Sequence, residues 1–121
     1  MKKLTLAEEQ IMKILWKKEE AFVKDIIADM PQPLPAYNTV STIIRILEKK
    51  GFVDHKAFGK THQYFPLTSK NEYARLHYKR FMKDYFGNSF QQMVSFFAKE
   101  ENLSANELDE IINQIKSNEK N

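Results

Sequence analysis

The sixteen residues from Pro35 to Lys50, PAYNTVSTIIRILEKK, are held to one conformation by what flanks them. Pro31, Pro33 and Pro35 lack an amide hydrogen and clash with a preceding helical turn, so no helix crosses that segment. Gly51 accepts the left-handed backbone that ends helices, and Lys49 and Lys50 lie at the negative end of the dipole. A helix is therefore predicted over about 37–50. At about 100° per residue, Val40, Ile43, Ile44 and Leu47 share one side, and Asn38, Ser41, Thr42, Arg45 and Lys49 fall on the other. The first side is a core face. The second is a row of hydrogen-bond donors and cations without an acid. That composition suits a DNA major groove. It also suits the outer face of an ordinary amphipathic helix, and the stretch alone does not decide between them.

Its neighbours add context. Thr5-Leu-Ala-Glu8 has the pattern of a capping box and opens a helix to about Lys17, with Leu6, Ile11, Met12, Leu15 and Trp16 as apolar contacts. Trp16 is expected in the core, where its indole N–H needs an acceptor that the sequence does not identify. Ala21 to Val23 form a short apolar link with strand-like pairing, and a second helix follows from about Val23 to Met30. Short helix, proline turn and longer helix make a helix-turn-helix. After Gly51 the period changes. Residues 52–58 and 61–65 predict two strands joined by a tight turn at Gly59-Lys60, with Pro66 ending the second. Such a hairpin is a wing over 52–66. With the helix residue Lys49, its Lys56, Lys60 and His62 are candidates for phosphate contacts, which position a protein without reading sequence.

Beyond residue 68 the character changes again. Ser69-Lys-Asn-Glu72 and Ser104-Ala-Asn-Glu107 are two more capping boxes. They open a long helix to about Phe86 and a last helix to about Lys116, with a helix from Ser89 to about Ala98 between them after Gly87-Asn88. This segment holds eight aromatic residues, yet it is too small to bury much surface alone. A second copy of itself is the expected cover, through Tyr73, Leu76, Phe81, Tyr85, Phe90, Phe97, Leu108, Ile111 and Ile112. His77 is expected at that interface or packed beside it.

The expected architecture is thus mainly α with a small β-hairpin. A winged helix-turn-helix domain spans 1–68 and a three-helix dimerisation segment spans 69–121. Residues 1–68 hold eleven Lys and Arg against eight Asp and Glu, whereas 69–121 hold eight of each. The positive excess thus sits on the predicted winged part, a weak pointer to a polyanionic partner. No window approaches the roughly 20 apolar residues that span a bilayer, and Glu8 and Glu9 interrupt any signal-peptide core, so a soluble, cytoplasmic protein is expected. With no cysteine, there is no disulfide, thiolate metal site or cysteine nucleophile.

The residues themselves now carry a resemblance. LTLAEEQIMKILWK, AYNTVSTIIRILEKKGFVDH, KTHQYFPL and FFAKEENLSANELDEI occur in an order similar to that of the penicillinase-repressor family of bacterial transcriptional regulators, and the match covers nearly the whole chain. The resemblance implies a homodimeric repressor that binds a pseudopalindromic operator in double-stranded DNA. By position, Thr39 and Thr42 match the family's DNA-facing threonines, and Asn38, Ser41 and Arg45 are this chain's own occupants of neighbouring positions. Relatives often carry arginine where this chain has Ile46, while the arginine here is Arg45, which puts part of the operator's identity in doubt. Relatives paired with a membrane sensor-protease are cut at an Asn–Phe bond. The matching bond here is Phe96–Phe97, without the asparagine. The copper-responsive branch uses a cysteine-rich motif that this chain lacks.

Two other readings stay open on the residues alone. One is a winged-helix module that binds a protein and no DNA. The other is a metal-dependent enzyme or sensor using His55 and His62 across the hairpin, although such histidines more often face solvent or phosphate. No paired-carboxylate, glycine-rich phosphate loop or Ser-His-Asp pattern is present. No enzyme, cofactor or metal is therefore expected. Whether the regulated process is antibiotic resistance or another is not written in these residues.

Overall fold

The structure, a computed structural model, describes residues 3–119. The elements run α1 (Leu6–Lys18), β1 (Ala21–Phe22), α2 (Val23–Ala28), α3 (Tyr37–Lys49), β2 (Val53–Phe58), β3 (Thr61–Pro66), α4 (Lys70–Phe86), α5 (Phe90–Glu100) and α6 (Ala105–Glu119). None of the described helices is long and apolar enough to cross a membrane. The chain divides into two compact units after Ala74, inside α4.

The first unit is a winged helix. Its antiparallel sheet has the order β1-β3-β2, with Ala21 opposite Tyr64 and Tyr64 opposite His55. Val40, Ile44 and Leu47 recur at helical spacing and are fully buried. They meet Ile11, Met12 and Leu15 of α1, Ile26 of α2, and Phe52 and Val53 at the base of the wing. Phe52 closes that base. Its amide donates to the Leu47 carbonyl at 3.0 Å, and its own carbonyl accepts from the Leu67 amide at 2.8 Å. Gly51, at φ +86°, makes the turn that lets the chain leave the helix and start the strand.

Thr5 and Glu8 form the capping box, with the Thr5 amide donating to Glu8 Oε1 at 2.8 Å and the Glu8 amide donating to Thr5 Oγ1 at 3.2 Å. The indole of Trp16 finds its acceptor in the Thr68 carbonyl, 2.8 Å away. Tyr73 also lies in this core. Its ring sits 5.9 Å from those of Trp16 and Phe52, and its hydroxyl accepts from the Leu4 amide at 3.0 Å. This corrects the expectation that Tyr73 belongs to a dimer interface. The first turn of α4 is part of the first unit because Tyr73 anchors it there.

In the second unit Ser89 caps α5 through the Gln92 amide and Ser104 caps α6 through the Glu107 amide. Phe81, Phe86, Phe96 and Phe97 form a ring cluster with centroids 5.4–6.3 Å apart. Met82 is buried. Leu76, Tyr78, Phe81, Tyr85, Phe90, Phe96, Phe97, Ile111, Ile112 and Ile115 are all exposed in the single chain. Leu108 and His77 are half-buried.

One charge pair ties α1 to the end of α3. Glu8 is buried, and both its oxygens accept from Lys50 Nζ, at 2.9 and 2.8 Å. Burial alone would raise the Glu8 carboxyl pKa, but Lys50 and the Thr5 amide and hydroxyl outweigh it and bring the pKa below the ordinary value. A carboxyl lowered in the folded state adds stability above its unfolded pKa, about 4.3, and loses it as pH falls through the folded value. Glu8→Gln keeps a capping side chain and removes the charge. It should cost about 1–3 kcal/mol at pH 7. Urea denaturation at pH 7 and pH 3 checks this: the gap between variant and wild type should narrow at the lower pH, and a constant gap would show that the charge contributes nothing.

Candidate nucleic-acid interface

Once Val40, Ile44 and Leu47 are buried, the opposite side of α3 is fixed. Asn38, Thr39, Thr42, Arg45, Ile46 and Lys49 are exposed, and Thr42 lies near the middle of this strip. The Thr42 hydroxyl donates to the Asn38 carbonyl at 2.8 Å, which leaves its oxygen lone pairs and methyl outward. Ser41 is 7% exposed. It is turned toward the core side, which corrects its expected place among the base-facing residues. A wheel drawn from sequence puts Ser41 on the outer face, and the packing of α3 against α1 and α2 turns it inward. Ile46, which the sequence leaves at the edge, is 42% exposed and joins the strip.

The acid of this helix is drawn aside. Glu48 is half-buried and pairs with His55 Nδ1 of β2. Lys50 is taken up by Glu8. Arg45 is exposed, and its positive charge acts on the Tyr64 phenol. The first turn of α3 has Ala36 as its N-cap with no side-chain hydrogen bond. Tyr37, not singled out from sequence, is 53% exposed there. The signal for it was Pro35, which fixes where the helix must begin.

The wing turns at Gly59, φ +62°, with the Thr61 hydroxyl donating to the Phe58 carbonyl at 2.9 Å. Lys56, Lys60 and His62 are exposed. The register pairs Lys56 with Gln63 and Ala57 with His62, so Lys56 and His62 project from opposite faces of the hairpin. On one face His62 stacks on His55, with centroids 4.0 Å apart and planes 9° from parallel. On the other, Lys56 Nζ lies 5.8 Å over the Phe65 ring and Phe58 packs edge-on against Phe22. The three phosphate contacts expected of the wing are therefore a tip, Lys60, with one residue on each flank. Phe96 and Phe97 lie within α5, with the Phe97 ring stacked on Phe81.

The sequence profile of the penicillinase repressor family matches residues 4–117. The methicillin resistance regulatory protein MecI of Staphylococcus aureus (strain N315) is 31% identical over 111 residues, 91% of this chain and 90% of that protein. A penicillinase repressor of Bacillus licheniformis is 26% identical over 116 residues, covering 95% and 90%. The solution structure of the DNA-binding domain of the repressor BlaI superposes with a TM-score of 0.51 at 27% identity, covering 60% of this chain and 94% of that one.

Burial, then the negative field of Glu48, raise the Tyr64 phenol above its ordinary value, with Tyr37 adding to the rise and Arg45 opposing it. A raised phenol contributes stability that is complete below its unfolded pKa, about 10, and is lost as pH climbs through the folded value. Tyr64→Phe should therefore flatten the alkaline loss of stability above about pH 10, read by thermal melting across pH. An unchanged alkaline limb would assign that loss to other groups.

Proposed function

Since the chain belongs to the penicillinase repressor family, we propose that it is a homodimeric, sequence-specific repressor whose α3 enters the major groove of a pseudopalindromic operator. Members of this family are DNA-binding transcriptional repressors, not enzymes, and this chain is a repressor of that kind. The carrying observation is the exposed strip Asn38, Thr39, Thr42, Arg45 and Lys49, free of carboxylates and set beside a wing whose tip is Lys60. A protein-binding face at this position would be expected to be apolar. Ile46 is the one large apolar side chain in the strip, and a thymine methyl suits it.

In this reading Thr39 and Thr42 present hydroxyls and methyls to base edges, and Asn38 meets adenine or a phosphate. Arg45 meets guanine, whose O6 and N7 its planar guanidinium can take bidentately. The uncapped amides of the first turn of α3 face a phosphate. Lys49, Lys56, Lys60 and His62 hold the backbone. The unit that ends at Ala74 forms the DNA-binding domain, and the unit after it pairs two copies through Leu76, Phe81, Tyr85, Phe90, Phe97, Leu108, Ile111 and Ile112. The support is the exposed apolar surface of the second unit, more than a soluble monomer ordinarily leaves open. Two-fold pairing sets half-sites about one helical turn apart or slightly more. Phe96–Phe97 is a helical bond, so any sensor-protease must first unwind α5.

A gel shift with DNA from upstream of the chain's own gene, against random DNA at fixed salt, tests the first part. Arg45→Ala should reduce operator preference by about 1–3 kcal/mol. Lys60→Ala should weaken both DNAs alike and lower the salt slope by about 0.9. Failure of the wild-type chain to shift either DNA at low salt would overturn the reading. Light scattering tests the pairing: at micromolar concentration the mass should be twice 14.3 kDa, and Phe97→Glu should shift it toward one. A wild-type monomer would refute the dimer.

A further inference from the structure

The last turn of α3 and the first residues of β2 bring together three side chains that the DNA-binding reading leaves unused. Glu48 Oε1 pairs with His55 Nδ1. Asp54 Oδ1 lies 3.9 Å from the same nitrogen, and accepts the His55 amide at 2.8 Å. His62 stacks on the far side of the imidazole and Tyr64 packs 5.7 Å from it, so the ring plane is fixed. The donor atoms of Glu48, Asp54 and His55 all lie within 4.8 Å of one another. Two carboxylates converge there on one ring nitrogen, and a dication at that point offsets both negative charges.

The geometry points to a site for a divalent transition-metal ion of the zinc or cobalt class, with Glu48 Oε1, Asp54 Oδ1 and His55 Nδ1 as its protein ligands. Mixed imidazole and carboxylate donors suit such an ion better than magnesium or calcium, which take oxygen. Metal–ligand bonds of about 2.0–2.2 Å place tetrahedral donors roughly 3.3–3.6 Å apart. The donor atoms, all within 4.8 Å of one another, already stand near that spacing. All three residues reach solvent, which leaves water to complete the coordination. The bound ion clasps the end of the recognition helix to the wing strand. The site does not depend on DNA being the partner.

The full-length chain, stripped with chelator, should bind one equivalent of Zn²⁺ by calorimetry, and Co²⁺ should give the visible absorption of a tetrahedral site. His55→Gln and Glu48→Gln should each weaken binding by more than the roughly 10–100-fold typical of losing a supporting residue. His77→Ala should bind as wild type does. Thermal melting without metal confirms that each variant is folded, and Zn²⁺ should raise the midpoint of the wild type but not of His55→Gln. No saturable binding, or His55→Gln binding as tightly as wild type, would overturn the site. Binding that needs His62 and not Glu48 would overturn its donor set.

Discussion

Burial of Val40, Ile44 and Leu47 is the constraint on which the first unit depends. These side chains fill the space between α1, α2 and the base of the wing, and a single methylene too few or too many at such positions is felt throughout a close-packed interior. Because they fix the rotation of α3 about its axis, they also decide which residues face outward. Core and recognition strip are two sides of one helix, so a change in packing re-aims the residues that would meet a base.

The same packing sorts the charges. Lys50 and Glu48 are sequence neighbours of the strip, yet neither is part of it. Lys50 folds onto Glu8 and Glu48 onto His55. Each pairing serves structure, one tying α1 to α3 and the other tying α3 to β2. What remains outward is Arg45 and Lys49 on the helix and Lys56 and Lys60 on the wing. A modest overall charge of +3 thus understates the local field, because the acids near α3 are already engaged.

The second unit has the opposite problem. Its helices begin at well-formed caps and its phenylalanines find one another, but Met82 is buried while Phe81, Phe90, Phe97, Ile111 and Ile112 stay exposed. Three short helices enclose too little volume for the apolar residues they carry. Capping settles where each helix starts. It does not supply a second layer for them to pack on, and a second copy of the same surface would provide one without any new sequence.

The sequence by itself determined the elements and their order. The prolines before α3, Gly51 after it, the turn at Gly59-Lys60 and the Ser/Thr-x-x-Glu boxes act within a few residues of themselves, and such local signals are readable without a fold. It also carried the four motifs of the family and most of the outward strip, since helical period is a local property too. Only the tertiary structure decided what depends on distant partners. Thr68 is the acceptor for Trp16, 52 residues away. Tyr73 joins the first core instead of the aromatic surface that follows it, because Trp16, Phe52 and the Leu4 amide meet it there. Ser41 turns in and Ile46 turns out because the axis of α3 is set by α1 and α2, and a wheel drawn from sequence has no fixed zero. Lys56 and His62 part to opposite faces because strand register, not composition, assigns a side chain its face. The meeting of Glu48, Asp54 and His55 was likewise hidden, since it depends on how β2 packs against α3.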